Sequence, residues 1–145
     1  MHDAAKAYGK LANQTSSPRE LEADLLLHAA SQLQAVHDNW DDKNREPFDK
    51  ALLLNRKLWT IFFAAVTAAD SPLPVEIRQN VANLGLFVMN ETIELTGKPQ
   101  RDKLDTLIDI NRQLAAGLLG RPVTEVENHA LDAPALTAAI ENAGT

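Results

Sequence analysis

Apolar residues recur along this chain at intervals of three and four, and they are densest between Leu52 and Val88. Leu54, Leu58, Ile61, Phe62 and Ala65 fall on one helical line, and Leu52, Trp59, Phe63 and Val66 fall on a second beside it. The polar positions Arg56, Lys57, Thr60 and Thr67 occupy the remaining arc. A helix apolar over most of its circumference is covered by several neighbours or keeps a surface for a partner. Asp70-Ser71-Pro72-Leu73-Pro74 stops it, because proline has no amide N–H and disfavours helix in the residue before it. The pattern then resumes with Ile77, Val81, Leu84, Val88 and Leu95. Together the two segments predict a helical hairpin at the centre of the protein.

The flanks carry their own punctuation. Ser17-Pro18-Arg19-Glu20 reads as a helix start, with serine as cap, proline in the first turn and glutamate closing a capping box. Leu21, Leu25, Ala29, Leu33 and Val36 form the stripe that follows. Asp38 to Asn44 is dense in residues that disfavour helix and predicts a loop, and Pro47 opens the next helix. Gly97 with Pro99, and Gly120 with Pro122, mark two helix ends. Between them Leu104, Leu107, Ile108, Leu114, Ala115 and Leu118 share a face. Near the start, Ala4, Ala5, Tyr8, Leu11 and Ala12 predict a short helix that Gly9 weakens. No β-alternation persists. The fold expected is all-α, a small single-domain bundle of about five helices near 3–13, 18–38, 47–68, 74–96 and 101–119. Residues 1–120 make the domain, and 121–145 make a lightly apolar C-terminal extension with a short helix over 132–142.

Composition narrows the function. A chain of 145 residues buries roughly 70% of its unfolded surface without staples. It has no cysteine, so thiolate chemistry is excluded. The net charge of −6 opposes phosphate backbones, and no apolar run reaches the ~18 residues of a membrane span. A nucleic-acid or membrane partner is therefore not expected. His2, His28, His37 and His129 lack the spacing of a metal site on one helix. Asp38, Asp41 and Asp42 lack the glycine and glutamate of a calcium loop. No serine sits in a nucleophile motif, and the carboxylates pair with Arg or Lys at helical distances. The expectation is a binding protein, not an enzyme, with no cofactor and no metal.

Two sets of side chains stand out. Asn55, Asn80 and Asn111 each lie within or beside an apolar stripe, where an amide must be paired or cost free energy, so a shared buried polar layer is expected. If Leu54, Leu58 and Ile61 meet Val81, Leu84 and Val88 in the core, then Trp59, Phe63, Leu86 and Phe87 are left as the edge of a groove. Glu76, Glu91 and Glu94 would supply its acidic rim. Such a groove suits an amphipathic partner helix.

The stretches Asn55-Arg56-Lys57-Leu58-Trp59-Thr60-Ile61-Phe62, Leu73 to Val88 and Leu107 to Leu118 resemble the FlaF family of flagellar biosynthesis regulators. Ala5 to Gly9 and Ser17 to Glu22 match the start of that pattern, and the resemblance runs from His2 to about Gly120. It implies a cytoplasmic protein needed for flagellin production and export, acting beside a second regulator, FlbT. Flagellin is the partner expected, held as by an export chaperone or adaptor. The alternative is a post-transcriptional regulator of flagellin messenger RNA, acting directly or through FlbT. A third reading is a dimer that uses the Leu104 to Leu118 stripe as its seam.

Overall fold

The computed structural model describes residues 18–120. Four α-helices hold these residues: α1 (Pro18–Asp38), α2 (Glu46–Thr67), α3 (Val75–Gly97) and α4 (Leu104–Leu119), with a 3₁₀ turn at Arg101–Lys103. About five helices were expected, and the four that fall in this range lie within two or three residues of their expected bounds. The helix expected over 3–13, the Ser17 cap and the 121–145 extension lie outside the described residues. Among the described residues there is no strand, and no helix is long and apolar enough to cross a membrane.

Proline and glycine set the boundaries. Pro18 begins α1, Pro47 sits in the first turn of α2, and Pro74 immediately precedes α3. α3 ends at Gly97, where the Lys98 amide still reaches the Glu94 carbonyl at 2.9 Å. Gly120 closes α4 in the left-handed region with φ 63°, a conformation glycine takes without a Cβ clash. The loop after α1 is organised by its own side chains. The Asp41 carboxylate accepts the Lys43 amide at 2.9 Å, and the Trp40 indole donates to Asp42 at 2.6 Å. Trp40 then stands edge-on to Phe48, with ring centroids 5.5 Å apart.

The expected hairpin of α2 and α3 is present, but the most extensive pairing is between α1 and α4. α1 is buried around its whole circumference from Ala23 to Ala30, with Asp24 and His28 included. α4 supplies Leu104, Leu107, Ile108 and Ala115, all buried. Each such leucine or isoleucine contributes on the order of 2 kcal/mol by leaving water. α2 packs against both α1 and α3, with Leu52, Leu58 and Phe62 among its buried residues. α3 has the narrowest buried face, Val81, Gly85, Val88, Thr92 and Leu95. Its principal neighbour is α2, and most of its circumference faces solvent.

Candidate partner-binding surface

The polar layer forms with a different membership from that expected. Asn55 and Asn111 are wholly buried, and Asn111 Nδ2 donates to Asn55 Oδ1 at 2.7 Å. The same Nδ2 reaches the Leu26 carbonyl at 3.3 Å, while Asn111 Oδ1 accepts the Trp59 indole N–H at 2.9 Å. One side chain on α4 thus pins α1 and α2. The third expected member, Asn80, is exposed on α3. Its line, through Leu84 and Phe87, is the flank of α3 and not its buried face.

Trp59 is likewise displaced from the groove edge to the core, at 0% exposure. It fills the centre of the bundle, edge-on to Phe62 with centroids 5.8 Å apart, and its N–H is satisfied by Asn111. The reason lies in how closely α2 and α3 approach. A Cβ added at Gly85 would stand 2.8 Å from Phe63 Cδ2 and 3.6 Å from Trp59 Cε3. Gly85 lets the Trp59–Phe63 line of α2 meet α3, so that line is covered. Phe63 is half-buried at this seam.

The other expected groove residues do face outward. Leu86 is 58% exposed and Phe87 44%. Glu76 and Glu94 are exposed and Glu91 is half-buried, with Glu94 held by Lys103 at 3.4 Å. They do not form one rim. Glu76, Glu94 and Phe87 share one flank of α3, whereas Leu86 belongs to a different line. That line is Val75, Ala82, Leu86, Met89 and Ile93, at spacings of seven, four, three and four. Ala82 and Met89 are half-buried, while Val75 and Ile93 are 65% and 69% exposed. Sequence reasoning missed Val75 and Ile93, though their heptad spacing was there to be read.

α3 therefore carries two apolar seams, one seated on α2 and one turned to solvent. Gln79, Asn83 and Asn90 border the outer seam on the side away from α2. Chemically it offers apolar area and uncharged amides, and no group placed for acid–base or nucleophilic work. It is suited to packing against another amphipathic helix.

Comparison with curated proteins and with solved structures finds no match. A family model described as Flagellar protein FlaF matches residues 4–118, most of the chain. With its motifs lying on α1, on the α2–α3 seam and on the Asn111 segment of α4, this chain belongs to the FlaF family of flagellar proteins.

Proposed function

We propose that the protein is a cytoplasmic flagellin-binding export chaperone or adaptor, working alongside FlbT, and that flagellin docks on the outer seam of α3. The single observation that carries this reading is that seam, Val75, Leu86 and Ile93 exposed at heptad spacing on a helix whose principal neighbour is α2. Exposed apolar patches of about 300–600 Å² are commonly functional. A subunit awaiting export must be kept from polymerising, and covering an amphipathic helix of that subunit would do so. Family membership supplies the flagellar context. Arg101 and Lys103, the basic residues at the α3–α4 junction, are engaged with the His37 carbonyl and with Glu94, which disfavours contact with RNA.

The test is binding of purified flagellin to the wild type, to Leu86→Asp and to Ile93→Asp, with thermal unfolding of each. Both variants should stay folded and lose about tenfold or more in affinity. Unchanged affinity in both folded variants removes flagellin from this seam. Absence of flagellin binding by the wild type, with flagellin leader RNA bound in a steeply salt-dependent way, replaces the chaperone reading with the post-transcriptional one.

A further inference from the structure

A cavity of about 960 Å³ opens between the C-terminal half of α1 and the N-terminal half of α2. Its α1 wall is Gln32, Ala35, Val36 and Asn39, a single helical face. The α2 wall includes Lys50, Leu54 and Lys57, again one face, with Leu53 beside it at 42% exposure. Trp40, Phe48 and Pro99 close the end nearest the loop. Among the described residues, none of α3 or α4 lines it. It therefore lies on the far side of the α1–α2 contact from α4, which is pinned to both helices through Asn111.

The groove is electrically polarised. Arg45 is paired with Asp49 at 2.9 Å and Lys50 with Glu46 at 3.1 Å. Asp41 and Asp42, at the loop end, have no ion-pair partner among the described residues. Nor does Lys57, half-buried about three helical turns along α2 from Glu46. A helix presents partial positive charge at its N-terminus and partial negative charge at its C-terminus.

From this geometry we infer that the α1/α2 groove is a second docking site, taking an amphipathic helix of a partner protein. That helix has basic residues in its first turn and acidic residues in its last. It lies with its N-terminal end over Asp41 and Asp42 and its C-terminal end at Lys57. Because α4 begins at the same end, where His37 meets Asp105 at 3.4 Å, the guest runs in the same direction as α4. The α1–α2 pair is then gripped on both sides by parallel helices. The guest's apolar face covers Val36, Leu53 and Leu54, and its flanking polar residues meet Gln32 and Asn39. This site is separate from the outer seam of α3, and it does not depend on the flagellin reading.

Two labelled helical peptides of about four turns test it, with identical apolar positions and opposite charge order, titrated into the full-length protein. The peptide with arginines first and glutamates last should bind at least about tenfold more tightly than the reversed one. Leu53→Glu and Ala35→Trp, both at exposed positions, should abolish that binding while thermal unfolding is retained. Lys57→Glu makes both ends of the groove acidic and should abolish the charge-order preference, and Leu86→Asp on α3 should leave it unchanged. No binding by either peptide, equal binding of the two, or binding untouched by Leu53→Glu and Ala35→Trp overturns the proposal.

Discussion

Asn111 donates its amide to Asn55 at 2.7 Å in a place from which water is excluded on every side. The two residues do not share the work equally. Asn111 makes three hydrogen bonds, to Asn55, Trp59 and the Leu26 carbonyl, whereas Asn55 Nδ2 has no partner. Asn111→Ala should therefore cost about 3 kcal/mol, because it strands the Trp59 N–H and the Asn55 carbonyl together. Asn55→Ala should cost closer to 1 kcal/mol, since Asn111 keeps Trp59 and Leu26. Urea unfolding of both variants checks the order. Equal losses would show that the layer is not centred on Asn111.

Gly85→Ala is expected to destabilise the fold despite a gain in helix propensity of about 1 kcal/mol. The new methyl meets the Phe63 ring at 2.8 Å, with Trp59 behind it, so α3 must move off α2 or Phe63 must swing out. Overpacking of this kind costs about 1–3 kcal/mol, which leaves a net loss of about 1. Pairing Gly85→Ala with Phe63→Ala should recover part of that loss. A double-mutant cycle with no coupling would place the close approach elsewhere.

Asn80→Ala is the contrasting substitution. Its side chain is exposed on α3, so stability should stay within about 0.5 kcal/mol of wild type. A thermal shift as large as that of Asn111→Ala would put Asn80 back in a buried network.

The His28 imidazole is buried in α1, and desolvation lowers its pKa below the ordinary 6.5. The folded state thus binds fewer protons than the unfolded state as pH falls through that value. Stability contributed by neutral His28 is complete above about 6.5 and declines as the pH drops toward the folded pKa. The melting temperature of the wild type should fall between about pH 7.5 and 5.5 more steeply than that of His28→Gln. Parallel profiles would assign the acid sensitivity to other groups.

Helix identity and bounds were legible because Pro18, Pro47, Pro74, Gly97 and Gly120 act locally, and a local cause can be read in a local string. The pairing of Asn55 with Asn111 was legible because both interrupt apolar stripes. Asn80 and Trp59 were misplaced for one shared reason. Periodicity says that α2 and α3 each have two apolar lines, but it does not say which line is turned inward. Gly85 decides that, by letting Phe63 and Trp59 approach, and a glycine inside a helix does not announce which neighbour it admits. The α1/α2 groove was illegible for a similar reason. Leu53 reads as an isolated apolar residue on a polar arc until α1 is laid beside it.

The bond from Asn111 to Leu26 closes 85 residues of sequence, and the α1–α4 pairing around it has a temporal consequence. The α2–α3 hairpin can form as soon as its own residues exist, but α1 is the first described helix to be synthesised and its chief partner is the last. Contacts this distant in sequence slow folding, because the chain between them must be closed before they form. On the ribosome, Leu21, Leu26 and Leu33 emerge early, and α1 can pair with α2 but lacks its chief partner until Leu104 to Leu119 have followed. A nascent chain halted before Leu104 lacks the chief partner of α1 and carries the exposed apolar surface from which aggregates grow.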